Sequence, residues 1–279
     1  MIKVIEQHLP HNFDQLKDLT YVEPFVGGGA MLFHMLQKHS NIHRAIINDI
    51  NADLIGAYKQ IRQDPEALIK LLKEISAEYL SSEDIMTRQE IYYRMRNEFN
   101  AMTSQDTLRI PYFLFLNQTC FNGLYRVNSS GRFNVPHGRY KSPTIINEQN
   151  LLQVHTALQQ VEIQQGDFAQ VVGLANGKNV FFYFDPPYRP LKSDMTMFTQ
   201  YNQEKFSDKS QERLKGICDK ISKAGWYFMV SNSDSYENEK PYFDHLYSGY
   251  CIHRFSVSRS INVYSAADRR PKEILITNY

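Results

Sequence analysis

Val180-Phe181-Phe182-Tyr183-Phe184-Asp185-Pro186-Pro187-Tyr188 joins an unbroken apolar run to a carboxylate, two prolines and an aromatic ring. A β-branched and aromatic run that stops this abruptly reads as a strand buried on both faces. Open α/β sheets bind their ligands beyond the carboxyl ends of such strands. The prolines fix φ and withdraw backbone donors, so the Pro186 carbonyl is expected to stay outside any helix or ladder, held rigidly beside Asp185. A carboxylate, a carbonyl and a flat ring on one rigid turn suit a planar substrate that carries an amino group.

On both sides of this stretch the chain alternates strands and helices. A strand expected over residues 20–25 runs into the tight turn Gly27-Gly28-Gly29 and a helix over 30–38, with Met31, Leu32 and Met35 at helical spacing. A second strand over 44–48 ends at Asp49 and leads into a helix over 52–61, the start of a βαβ pattern. Helices over 65–79 and 87–100 follow. Residues 110–143 then turn aromatic and rich in Gly and Asn, and read as an insertion. The rhythm resumes with a helix over 148–158, a strand over 161–165, the strand ending at Asp185 and a helix over 207–222. A strand over 226–230 ends in the turn Ser231-Asn232-Ser233-Asp234, and antiparallel strands over 250–257 and 273–278 close the chain. The expected class is α/β.

The 279 residues, 42% hydrophobic and 22% charged, have the composition of an ordinary globular chain. No apolar stretch approaches bilayer length, and the first ten residues lack the apolar core of a signal peptide, so a cytoplasmic protein without membrane association is expected. Cys120, Cys218 and Cys251 are odd in number and far apart, and read as buried structural thiols. The nine histidines form no ligand cluster, so no metal is assigned.

The formal net charge of +1 hides an asymmetry. Arg88, Arg94, Arg96, Arg109, Arg126, Arg132, Arg139 and Lys141 face only Glu90, Glu98 and Asp106 between residues 86 and 141, eight cations against three acids, a local balance of +5. A basic middle in a mildly acidic frame fits a surface for phosphates. The alternative is a solvated charged helix spanning Arg88 to Arg96.

A strand, Gly27-Gly28-Gly29 and a helix form a turn where backbone can approach a ligand because no Cβ intervenes. It is not the dinucleotide fingerprint, whose third glycine would fall at Leu32. Asp49, at the end of the next strand, can accept two ribose hydroxyls, or cap the helix beginning near Asn51.

Glu23-Pro24-Phe25-Val26-Gly27-Gly28-Gly29 followed by Asp185-Pro186-Pro187-Tyr188 resembles the S-adenosylmethionine-dependent DNA adenine-N6 methyltransferases of the Dam and DpnII type, the D12 class. The glycine turn, the target-recognition region and the Asp-Pro-Pro-Tyr motif come in that family's order, termed alpha. The resemblance runs from about Leu9 to the C-terminus through Asn122-Gly123-Leu124-Tyr125-Arg126, Gly131-Arg132-Phe133-Asn134-Val135-Pro136, Gly138-Arg139-Tyr140, Gly166-Asp167-Phe168 and Ser231-Asn232-Ser233-Asp234. It implies a Rossmann-like methyltransferase sheet with a C-terminal antiparallel strand pair, assigned here to residues 1–60 and 146–279. Residues 61–145 would form an inserted, mostly helical and hairpin domain for DNA target recognition.

Carried onto this sequence, the resemblance implies a cofactor site of Glu23, Phe25, Gly27, Gly28, Gly29, Asp49, Asp167, Phe168 and Asp185 for S-adenosylmethionine, with S-adenosylhomocysteine as product. Asp185, Pro186 and Tyr188 are the implied catalytic residues, acting on an adenine flipped out of double-stranded DNA. An exocyclic amine is a weak nucleophile whose protons become acidic as a methyl group arrives, so acceptors matter more than a strong base. Asp185 and the Pro186 carbonyl are such acceptors, and Tyr188 would stack on the base. The implied DNA contacts are Arg126 to a guanine, Leu124 to a thymine methyl, Phe121 and Asn122 as a wedge, Asn134 beside them, Arg139 on phosphate and Tyr140 on a base edge. Arg254, Arg259 and Arg269 are further phosphate candidates. The implied target is GATC, with a cognate restriction endonuclease as a possible partner.

Family members carry a segment resembling Lys-Trp-Ala-Gly-Gly-Lys before the helix expected here over 2–9, where it closes over the methionine part of the cofactor. The chain starts after that point. A truncated start is the preferred expectation, and a weakened or inactive DNA-binding relative the alternative. Cytosine-N4 and glutamine-amide enzymes tend to open the catalytic motif with Ser and Asn respectively, so Asp185 argues against both, while RNA stays open as an alternative acceptor. Cytosine-C5 chemistry needs a cysteine after proline, and none of the three cysteines follows one.

Overall fold

The computed structural model describes residues 1–190, 206–237, 239–256 and 272–279. Val257, Arg259 and Arg269 therefore lie outside the described residues. The chain divides into two compact units, one of Met1–Ile50 with Gln160–Tyr279 and one of Asn51–Gln159.

The first unit is built on a seven-stranded sheet. Its strands are β1 (Leu19–Glu23), β2 (Ile42–Asp49), β3 (Val161–Gln165), β4 (Val180–Phe184), β5 (Tyr227–Ser233), β8 (Cys251–Ser256) and β9 (Lys272–Thr277), in the order β3-β2-β1-β4-β5-β9-β8. β6 (Tyr236–Glu237) and β7 (Lys240–Pro241) pair separately. The first five strands of that order are parallel, and β9 and β8 run antiparallel, as the sequence led us to expect. Every residue of β1 and β4 is buried, which explains why β4 reads as a continuous apolar run rather than an alternating one, while β1 buries Thr20 and Glu23 among its apolar residues. Helices α1 (Ile2–Gln7), α2 (Ala30–Lys38), α8 (Asp208–Lys223) and α9 (Tyr242–Leu246) belong to this unit. Leu214, Ile217 and Ile221 of α8 share a core with Val22, Phe182, Phe184, Phe228 and Val230.

Strand order reverses between β1 and β4: the chain steps outward from β1 through β2 to β3 on one side, and from β4 to β5 on the other. Tyr21 lies opposite Phe181 and Val22 opposite Phe182, which brings the carboxyl ends of the two strands, with Glu23 and Asp185, together at the reversal. Such a switch point opens the crevice in which open α/β sheets hold ligands.

Local expectations need correction at the end of β5 and at Cys251. β5 continues to Ser233, so Ser231, Asn232 and Ser233 are ladder residues opposite Leu275, Ile274 and Glu273 rather than a turn. Their small polar side chains hid this, because strand propensity depends on packing context. Cys120 and Cys218 are buried but Cys251 is exposed, at the start of the edge strand β8.

The second unit is helical: α3 (Ala52–Gln63), α4 (Pro65–Ser81), α5 (Ile85–Ala101), α6 (Arg109–Thr119) and α7 (Glu148–Leu158). Asn51, Asp64, Asp84 and Asn147 cap four of them, each side chain accepting from backbone N–H groups of the first turn. α6 lies where the sequence suggested only an aromatic insertion. Pro111, Phe113, Phe115, Leu116 and Thr119 are all buried, and a helix packed on several sides lacks the polar stripe that marks one in sequence. Arg109 clamps it to α3, its Nε and Nη2 donating to Asp53 at 2.6 and 2.9 Å. The unit is wider than residues 61–145 because α3 and α7 pack within it. His155 and Gln159 bond the carbonyls of Ile61 and Arg62 at 3.0 and 3.1 Å.

Candidate functional site

Backbone geometry at the ends of β1 and β2 builds the first part of the site. Val26 N donates to Asn48 O at 2.9 Å, Gly29 N to Val26 O at 2.9 Å, and Gly27 N to the Asp49 carboxylate at 3.1 Å. Gly27 and Gly29 have φ of 48° and 73°, left-handed values that glycine adopts without strain. Among the described residues, a Cβ on Gly27 or Gly28 would meet nothing within 4 Å. Asn48, which the sequence reading passed over, is buried at the centre. Its amide donates to Pro24 O at 3.1 Å and Gly166 O at 3.0 Å, tying the loops after β1 and β3 to β2.

Asp167 and Phe168 follow Gly166, as expected, but with a partner the sequence did not reveal. Arg213 of α8 grips both Asp167 oxygens, at 2.6 and 2.7 Å, and its guanidinium lies 4.9 Å from the centre of the Phe168 ring. Phe168 in turn packs on Phe25 at 5.0 Å.

The Asp185-to-Tyr188 turn is held from below. Asn232 Oδ1 accepts from Arg189 N at 3.0 Å and from Ser233 N at 2.9 Å, while Ser233 Oγ donates to Arg189 O. Buried Gln211 reaches Pro187 O at 3.5 Å. The Arg189 side chain is pinned by Asp208 at 2.8 Å and lies 4.0 Å from the Tyr242 ring centre. Pro186 is buried in this frame and Asp185 is exposed at its tip, with Tyr188 half-buried.

Electrostatics separate the two carboxyls at the switch point. Burial pushes Glu23 well above the usual carboxylate range; the 2.7 Å hydrogen bond from Tyr21 opposes this, and the charge of Asp185 adds to it.

The second unit carries the residues expected to meet nucleic acid. Phe121–Gly123 form a 3-10 turn in which Asn122 has φ 54°, and the flanking chain makes isolated bridges, Cys120 with His137 and Val127 with Phe133, rather than a regular hairpin ladder. Phe121, Leu124, Tyr125 and Tyr140 are exposed together. Tyr140 is a brace as well, since Asn122 N donates to its hydroxyl at 2.9 Å. Its ring lies over Gly138, where a Cβ would come within 2.4 Å of the ring and 2.6 Å of the Cys120 carbonyl. Arg126 and Asn134 are paired: Arg126 Nε donates to Asn134 Oδ1 at 2.7 Å and Nη2 to Asn134 O at 3.1 Å.

Much of the segment's positive charge serves its own packing. Arg88 is buried and bonds the carbonyls of Ser82 and Lys141; Arg94 pairs with Glu78 and Glu98; Arg96 donates to Val135 O; Arg109 holds Asp53. Arg132, Arg139 and Lys141 remain exposed. In the first unit, Arg254 is likewise paired, with Asp234 and Asp244.

Besides Asn48, Arg213 and Gln211, the sequence reading missed Ile50. It is 77% exposed immediately after Asp49, at the end of β2. An isoleucine where a loop should be polar was the available signal; the others are polar residues whose partners are distant in sequence.

The sequence matches the D12 class N6 adenine-specific DNA methyltransferase family over residues 1–261. It is 41% identical over 284 residues to the Type II methyltransferase M.MjaIII of Methanocaldococcus jannaschii, covering 100% of this chain and 95% of that protein. It is 37% identical over 264 residues to the Type II methyltransferase M1.LlaDCHI of Lactococcus lactis subsp. cremoris, covering 93% and 86%. With the DNA adenine methylase of Escherichia coli K12 it shares 30% identity over 272 residues, covering 97% and 88%. A carboxylate turn at the switch point, a glycine turn beside it and a match over nearly the whole length agree: the chain belongs to the D12 class of N6 adenine-specific DNA methyltransferases and is an adenine-specific DNA methyltransferase.

Proposed function

We propose that the protein methylates N6 of an adenine rotated out of duplex DNA within GATC. The observation that carries this reading is the rigid Asp185-to-Tyr188 turn beside Glu23 at the strand reversal, backed by Asn232 and Gln211. The first unit is the catalytic one, with S-adenosylmethionine as cofactor, and the second reads the DNA.

The donor set fits that cofactor. Open space beside Gly27 and Gly28 admits a close approach, Asp49 offers a carboxylate for ribose hydroxyls, Ile50 an apolar face, and Asp167 an acceptor for an amino group. When bound, S-adenosylmethionine supplies an electrophilic methyl group. Asp185 and the Pro186 carbonyl accept the two N6 hydrogens of the target adenine, which favours a pyramidal nitrogen with its lone pair directed outward. Tyr188 stacks on the base and keeps it out of the helix, a geometry required because N6 cannot be approached suitably inside the duplex. Glu23 lines the cofactor pocket beside Phe25.

In the second unit, Phe121 and Asn122 wedge into the vacated position and Leu124 touches a thymine methyl. Arg126 reads a guanine, with Asn134 fixing its guanidinium, while Arg139 and Tyr140 contact phosphate and base edge. The target GATC is supported by the likeness of residues 121–126 to the recognition element of Dam-type enzymes. A cognate restriction endonuclease is the proposed partner, a reading supported by the Type II methyltransferases among the relatives.

DNA containing GATC, incubated with the protein and S-adenosylmethionine, should resist a nuclease blocked by N6-methyladenine in that sequence. Asp185→Ala should abolish protection while retaining DNA binding. Full protection by that variant would refute the catalytic role, and methylation at another sequence would refute GATC.

A further inference from the structure

Asp167 is the acceptor proposed for the cofactor's adenine, yet most of its hydrogen-bonding capacity is already used. A carboxylate offers about four acceptor positions. Oδ1 takes Arg213 Nη2 at 2.6 Å and Ala169 N at 2.9 Å, and Oδ2 takes Arg213 Nη1 at 2.7 Å. Among the described residues, one acceptor position remains, on Oδ2. The same guanidinium lies against Phe168, which is also packed by Phe25 at 5.0 Å and Phe206 at 5.7 Å. One planar fork thus fixes the rotation of Asp167 and supports the ring beside it, and a bidentate arginine holds a carboxylate plane as a single-point lysine cannot.

We propose that Arg213 is a positioning residue for cofactor recognition, fixing the Asp167 carboxylate with one oxygen lone pair available to an amino group and thereby setting a preference for adenine over its 6-oxo counterpart. The inference rests on the reading that Asp167 and Phe168 hold the cofactor's adenine. The hydrogen bonds from Arg213 hold Asp167 below the usual carboxylate range; partial burial opposes them and the Ala169 N–H adds to them. An ionised carboxylate only accepts. It therefore pairs with the 6-amino group of adenine and repels the carbonyl of a 6-oxopurine.

The test is calorimetric titration of the full chain with S-adenosylhomocysteine and with S-inosylhomocysteine, its 6-oxo analogue, accompanied by thermal unfolding. The unsubstituted protein should prefer the adenosyl ligand by roughly ten- to a hundredfold, the range of one hydrogen bond to a charged group. R213M should cut that preference about fivefold or more by weakening the adenosyl ligand alone, with R213K intermediate. The Arg213 and Asp167 side chains are 52% and 36% exposed, so the melting temperature should move little. A preference retained in R213M, or equal weakening of both ligands, overturns the proposal. D167N separates the two levels of the argument. If it keeps the preference, the Asp167 reading fails and takes the Arg213 role with it; if it loses the preference while R213M does not, the Arg213 role alone is refuted.

Discussion

Replacing Asn48 by alanine should damage stability and cofactor binding together. Its buried amide donates to Pro24 O at 3.1 Å and Gly166 O at 3.0 Å, the carbonyls that precede the glycine turn and Asp167. Each such bond contributes about 1 kcal/mol net, and carbonyls left unpaired in a buried setting cost a further ~1–3 kcal/mol, so a loss of about 3 kcal/mol is expected. At roughly 2–4 °C per kcal/mol for a unit of this size, the midpoint of thermal unfolding should fall by about 6–12 °C. The two loops would also lose their common anchor, and the dissociation constant for S-adenosylhomocysteine, measured by calorimetry well below the new midpoint, should rise. Asn41 supplies the control. At the opposite end of β2, its amide donates to Phe13 O at 2.7 Å and Leu16 O at 3.0 Å. Asn41→Ala should lower stability comparably and leave ligand affinity unchanged. The reasoning is refuted if Asn48→Ala stays within about 0.5 kcal/mol of the parent, or if both variants weaken ligand binding equally.

Ile50→Ala should weaken S-adenosylhomocysteine binding about fivefold, equivalent to ~1 kcal/mol of apolar burial, with no change in melting temperature because the side chain is 77% exposed; unchanged affinity would remove Ile50 from the pocket. Glu6 sits among Lys38, His39 and His34, whose hydrogen bonds overcome the opposing effect of burial, the largest single influence, and hold its pKa at about 2 against an ordinary 4.5. A depressed carboxyl pKa stabilises the fold fully above about 4.5, and that contribution is lost as pH falls towards 2. Glu6→Gln should therefore be less stable than the parent at pH 6, with the gap closing between pH 4.5 and 2 in denaturant titrations; a pH-independent gap would contradict this. Gly138→Ala forces a Cβ against the Tyr140 ring and the Cys120 carbonyl. Loss of the Tyr140 brace should weaken binding of a GATC duplex by about 1 kcal/mol or more in fluorescence anisotropy, while calorimetry shows cofactor binding intact.

Legibility followed the range of the interactions involved. The expected strand over 161–165 and the helices over 30–38 and 148–158 coincide with β3, α2 and α7, because periodicity and capping residues act over a few positions. α6 escaped because burial on several sides erased its polar stripe, and the end of β5 escaped because Ser231, Asn232 and Ser233 look like loop residues until β9 supplies their ladder. Residues 86–141 carry eight cations against three acids. Four of those cations, Arg88, Arg94, Arg96 and Arg109, satisfy internal carbonyls and carboxylates, partners that a charge count along the sequence does not contain.

The sequence by itself determined the α/β alternation, the parallel core with its antiparallel end, and the chemistry available at two strand ends, since each is written in contiguous residues. Tertiary structure alone decided that Glu23 and Asp185 meet at the strand reversal, that Asn232 and Gln211 hold the Asp185-to-Tyr188 turn, and that Arg213 holds Asp167 from 46 residues away. The physical reason is that a long polar side chain can reach many carbonyls and carboxylates. Which one it satisfies is settled only when packing removes water from the alternatives.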